Sequence, residues 1–186
     1  MQREFNEIWQ KIFKDIAVEL HDEFDRNFER KAFFGKAWEK RKREGKGSLL
    51  LVTGKLRRSL KHNVTHNTIK WTSSEVYANI HNEGGDIVVT SKMKGYFWHK
   101  YYEAIGHQTY NVKTRSVSNT KKNIRLSKEA EFYKSMALQK TGAIIKIPQR
   151  QFIGNAPEVD SAIEKIIHTN LKSIETLIKN QLKQRK

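Results

Sequence analysis

His81 and Glu83 stand two residues apart, and on a strand that spacing would put an imidazole and a carboxylate on one face. Such a pair could hold a metal ion or pass a proton. Either chemistry needs a third ligand or a nucleophile at a matching interval, and none is found. His62, His66, His99 and His107 read as loop residues and share no common spacing. The expectation is structural: His81 or Glu83 bonds backbone groups around the Gly84-Gly85 turn. Gly47 to Lys55 ends in Thr53-Gly54-Lys55, like a phosphate-binding loop, but its glycine spacing is wrong. Leu56 also stands where the metal-binding Ser or Thr would be. No catalytic residue, metal ligand or cofactor site is assigned, and the chain reads as a non-enzyme.

A second chemistry is electrostatic. The chain carries 36 Lys and Arg against 20 Asp and Glu, a net charge of +16. That imbalance attracts polyanions. Between Arg30 and Lys61 twelve bases face only Glu39 and Glu44. Lys40, Arg41, Lys42, Arg43 and Lys46 form the densest run, close to Trp38. They could contact phosphates with the indole stacking beneath, or they could simply be a solvated surface. Base-specific readout is not expected, because no helix-turn-helix, zinc-knuckle or RNP-like pattern occurs. Asn63-Val64-Thr65 matches a glycosylation sequon that means little without a secretory signal.

These residues need elements to position them. A chain of 186 residues is most simply one domain, 1–186, with a single ordinary core. It has no cysteine, which fits a reducing compartment. Charges at Arg3, Glu4, Glu7, Lys11, Lys14 and Asp15 exclude a signal-peptide core. No apolar run approaches the ~20 residues that cross a bilayer, so no membrane role is expected. Phe5, Ile8, Trp9, Ile12, Phe13, Ile16, Leu20, Phe24 and Phe28 recur at helical steps and predict a long N-terminal helix. The helix should end or bend at Phe33-Phe34-Gly35, with a shorter helical piece around Trp38. Together these make a helical region over 1–44.

Residues 48–90 and 143–154 read as the sheet core, with a hairpin or meander between His62 and Ser74 and a strand at Asp86 to Thr90. Val76 to His81 is ambiguous. Residues 91–142 read as an insertion in which Asn111 to Asn123 is a mobile loop or arm and Leu126 to Leu138 a helix. Ile144 to Ile147 is a strand stopped by Pro148. Pro157, Glu158 and Asp160 open a C-terminal helix over 157–182.

Three motifs run through this frame in fixed order. Thr53, Gly54, Leu56 and Ser59 follow the apolar run Leu49 to Val52. Tyr77, Ala78, Ile80, His81, Glu83, Gly84 and Gly85 come next, and Arg150, Phe152 and Gly154 close the set. The order resembles the phage virion morphogenesis family, the Mu-type tail completion proteins of the head–tail junction. Many relatives read Arg-Pro-Phe in the last motif. Here Pro148 precedes Arg150 and Gln151 separates Arg150 from Phe152.

The resemblance implies an α+β fold. An antiparallel sheet would carry the motifs, packed by the long N-terminal helix and the C-terminal helix, with a helical and loop insertion at about 91–142. It also implies a structural part acting in tail completion or head–tail joining, as a homo-oligomeric ring, often hexameric, around the DNA channel. Its partners would be other phage tail or connector proteins. It would reside in the host cytoplasm during assembly and then in the virion. A ring would set basic residues along a DNA path. The alternative is a small basic protein that binds DNA without sequence preference in packaging or regulation.

Overall fold

The computed structural model describes residues 2–41 and 47–184, and the fold is α+β, with small antiparallel sheets packed by helices. The chain divides into two compact units, Met1–Gly85 with Pro148–Lys186, and Asp86–Ile147. Among the described residues no helix is long and apolar enough to cross a membrane.

The first unit is built on α1 (Gln2–Arg30). Its apolar stripe does what the periodicity predicts: Ile12, Ile16, Leu20, Phe24 and Phe28 are all buried. The covering face comes from α6 (Pro157–Gln184), through Val159, Ile163, Ile166 and Ile167. Its first turn places Glu158 and Asp160 at the positive helix end. Lys11 stitches the two helices together, donating to Asp15 at 2.8 Å and to Asn170 at 3.1 Å.

After Arg30 the chain reverses instead of continuing as helix. β1 (Ala32–Phe33) and β2 (Lys36–Ala37) form a minute antiparallel hairpin, turned by positive φ at Lys31 (57°) and Phe34 (48°). The expected helical piece around Trp38 is therefore absent. The cause is tertiary: Phe33 and Phe34 fold back onto Phe24, each ring 6.5 Å from it, and that burial outweighs local propensity.

Two five-residue strands follow the helical turn α2 (Lys55–Ser59). β3 (Leu60–Val64) pairs antiparallel with β4 (Ile69–Ser73), in register from Leu60↔Ser73 to Val64↔Ile69. Their inward residues alternate as a half-buried sheet requires, and Trp71 meets Phe24 edge-on at 5.4 Å. The ambiguous stretch before the Gly84-Gly85 turn forms α3 (Ala78–Glu83).

In the second unit β5 (Gly85–Val88) pairs with β6 (Ile144–Ile147). Between them run α4 (Ser91–Gly106) and α5 (Lys121–Ala137), each opened by a threonine, Thr90 and Thr120, whose hydroxyl accepts the third backbone N–H. Ala104, Leu126, Ala130 and Ala137 are buried, and Phe97 stacks on Tyr133. His99, expected in a loop, lies within α4.

The segment read as a mobile arm is instead held by specific bonds. Tyr110 and Val117 form a β-bridge, and buried Asn123 donates to the carbonyls of both Thr109 and Ser118 at 2.7 Å. One amide side chain closes a polar loop that has no apolar pattern of its own.

Candidate functional site

The three motifs meet in the first unit, where the segment after Pro148 threads between α3, α1 and the stretch beyond β2. Phe152 is its anchor, 1% exposed. Its ring lies 5.0 Å from Phe28, and Trp38, Leu56, Leu60 and Ala78 complete the cluster. So Leu56 of the first motif, Ala78 of the second and Phe152 of the third share one apolar knot.

Polar groups grip the backbone on either side of that anchor. Asn82 on α3 offers one carbonyl oxygen to two donors, Phe152 N–H at 3.0 Å and Ile153 N–H at 3.1 Å. Asn27, fully buried in α1, donates to the Phe152 carbonyl at 3.2 Å and accepts from Phe34 N–H at 3.0 Å. The Trp38 indole donates to the Gln151 carbonyl at 2.6 Å. Arg150 N–H donates to the His81 carbonyl at 2.7 Å, and its guanidinium donates to the Glu39 carbonyl at 3.1 Å. A buried backbone without a regular ladder is satisfied by side chains reaching in from three directions.

Glycine makes the close approach feasible at one point above all. Gly84 sits at φ 73°, ψ −174°, and a Cβ there would stand 2.9 Å from the Gln149 nitrogen. Neither the backbone region nor the space admits another residue. Gly85 (φ 142°) is similar, since a Cβ there would stand 2.9 Å from the Ile80 Cδ1. In the first motif Gly54 (φ 66°) precedes α2, so it occupies the capping position, while the Thr53 hydroxyl accepts from Lys55 N–H at 3.3 Å. Ser59, buried, donates to the Leu56 carbonyl and shares a 2.7 Å bond with Ser73. Gly154 (φ 141°) closes the third motif.

His81 and Glu83 do not form a site. Both lie on α3, where a two-residue step turns about 200° and sends them to different sides. Glu83 is exposed and accepts from Asn82 at 2.9 Å. His81 packs edge-on against Tyr77 at 6.0 Å, and burial, helped by the charge of Arg150, pushes its imidazole below the ordinary value. Its contribution to the turn is its backbone carbonyl. Among the described residues no three His, Asp or Glu side chains gather in a metal-holding group.

The basic run resolves differently. Lys40 is exposed, and Arg41 donates to the carbonyls of Gly47 and Ser48. Lys42, Arg43 and Lys46 lie outside the described residues. Trp38 is no stacking platform, since it is buried with its N–H engaged. Arg57, between the first motif's Leu56 and Ser59, is bound through both its Nε and Nη2 to Asp25 of α1, and to Glu29 at 2.7 Å. Those bonds hold its guanidinium above its ordinary value even against burial. That cation fastens α2 to α1.

An apolar cleft of about 660 Å³ adjoins the motif turn. Ile12, Ile16 and Phe24 contribute α1 side chains, Trp71 comes from β4, and Glu83 and Gly154 bring two motif positions to its lining. The unanticipated residues are Asn27 and Asn82, while Trp38, expected beneath the basic run, holds the Gln151 carbonyl instead. Only Asn27 had a signal, a small amide beside Phe24 and Phe28 on an apolar stripe.

A search of curated proteins and a search of solved structures returned no match. The sequence profile of the phage virion morphogenesis family, by contrast, matches residues 3–172, spanning both units and all three motifs. Motif order, the α+β fold and this nearly full-length match agree: the chain belongs to the phage virion morphogenesis family.

Proposed function

We propose that this protein is a non-enzymatic building block of tail completion or head–tail joining, working as a ring of identical copies around the DNA channel. It acts in the host cytoplasm while particles assemble and stays with the virion at the tail or the head–tail junction. Its partners are other tail or connector proteins.

The observation that supports this reading is how the motif residues are used. Leu56, Ala78, Phe152, Gly84 and the His81 carbonyl all serve to lock one segment into the subunit body. Catalysis would instead require a nucleophile, base or metal ligand held at a shared reacting point. Residues spent on fixing a subunit's shape suit an assembly part, whose function is the surface that the shape presents.

Native mass spectrometry and negative-stain electron microscopy of the full-length protein, with mass-spectrometric detection in purified virions, test the proposal. Closed rings and presence in virions are expected. A protein that stays monomeric at high concentration and is missing from virions would refute it. The DNA-binding alternative draws on the chain's net charge of +16. It predicts tight, salt-sensitive duplex binding by the monomer without ring formation.

A further inference from the structure

For its length the second unit is more cationic than the first. Residues 86–147 hold twelve Lys and Arg against four Asp and Glu, a net of +8, which is half of the whole chain's +16. Two of the four acids are already occupied: Glu103 bonds Lys100 at 2.6 Å, and Glu129 lies 3.9 Å from Arg125.

The charge is arranged. The first eight residues of α5, 121–128, contain Lys121, Lys122, Arg125 and Lys128 and no acid. All four are exposed. Lys121, Arg125 and Lys128 stand at i, i+4 and i+7, one stripe of the helix, with Lys122 beside it. The opposite face, with Asn123, Leu126 and Ala130, is buried. Helix stability does not account for Lys121 and Lys122, because bases in a first turn oppose the macrodipole. Among the described residues only Arg125 of these four has an acid within ion-pair distance.

We propose that this face of α5 contacts the phosphate backbone of double-stranded DNA without reading its sequence. Three of the four cations are lysines, a residue depleted from protein–protein interfaces but effective as a point charge on phosphate. The stripe holds no aromatic side chain on which an unpaired base could stack, which favours a duplex over a single strand. The contact is independent of ring formation, so it goes beyond the assembly reading and can fail without it.

The test is fluorescence anisotropy of the full-length protein with a mixed-sequence duplex at stepped salt. The variant carries Lys121→Gln, Lys122→Gln, Arg125→Gln and Lys128→Gln. A matched control removes four exposed lysines of the first unit, Lys36, Lys61, Lys70 and Lys165, also to Gln. Each cation on a phosphate contributes about 0.9 to the slope of log affinity against log salt, so the α5 variant should flatten that slope by about three to four. Over a fourfold rise in salt, the wild type should lose about 150-fold more affinity than the variant does. The control should keep the wild-type slope. Restoring charge with Lys121→Arg, Lys122→Arg and Lys128→Arg should keep binding, which separates lost contact from lost folding. Equal losses in variant and control, tighter binding to a single strand, equal binding to poly-glutamate, or no duplex binding at about 50 mM salt would each overturn the proposal.

Discussion

Replacing Gly84 by alanine perturbs the point where α3 hands the chain to the Gly84-Gly85 turn. Two costs add. At φ 73° and ψ −174° the backbone lies in a region reserved almost entirely for glycine, worth about 1 to 3 kcal/mol for any other residue. The new methyl would also meet the Gln149 nitrogen at 2.9 Å and its Cα at 3.1 Å. Neither atom can swing away, since the next residue is tied to the His81 carbonyl at 2.7 Å. Forcing extra volume into such a site costs about 1 to 3 kcal/mol more. The expected loss is about 2 to 6 kcal/mol, or about 5 to 20 °C in Tm for a chain of this size. Gly35→Ala is the control, because its Cβ would meet nothing within 4 Å and its φ lies outside the left-handed range. It should leave stability within about 1 kcal/mol of wild type, or raise it slightly. Urea unfolding followed by tryptophan fluorescence, with m-values compared, measures both. If Gly84→Ala unfolds within about 0.5 kcal/mol of wild type, the segment does not pass tightly beneath the turn. The account of the motif as a lock would then be wrong.

Phe152→Ala should cost about 3 to 5 kcal/mol by emptying the knot beside Phe28 and Trp38, measured by the same unfolding curves. Asn82→Ala should cost about 2 to 5 kcal/mol, because two backbone N–H groups lose their acceptor together. Asn82→Asp, which keeps an acceptor, should recover much of that loss, and limited trypsin digestion at Arg150 should rank the variants in the same order. Stability should also depend on acid. Burial, aided by the charge of His21, holds His62 below its ordinary 6.5, and burial with the Arg150 charge does the same to His81. Both folded-state values are depressed, so below about pH 6.5 the unfolded chain binds more protons than the native one. The histidine contribution is fully present above that pH and is lost as pH falls through it toward the folded values. Thermal unfolding between pH 7.5 and 5 should show that decline, and His62→Gln with His81→Gln should flatten it.

Local sequence determined the elements whose signal is periodic and whose partner is any apolar surface. The stripe from Ile12 to Phe28 specifies α1 because burial of that face needs only helical spacing, and Pro157 with Glu158 and Asp160 marks the start of α6 by chemistry internal to the helix. The β3–β4 pair was legible through its β-branched and aromatic residues. The motif residues were legible as a set, and with them the family.

Other features were decided by distant parts of the chain. The segment from Ala78 to Glu83 is too short for periodicity to separate helix from strand, and its helical form sends His81 and Glu83 apart. The hairpin at Ala32–Ala37 exists because Phe33 and Phe34 find Phe24, a contact that local propensity cannot anticipate. Asn27 meets Phe152 across 125 positions, Trp38 meets Gln151 across 113, and Asn82 meets Phe152 across 70. A hydrogen bond depends on where two groups lie in space. Sequence names the donors and acceptors, and only the folded chain decides which of them come within 3 Å.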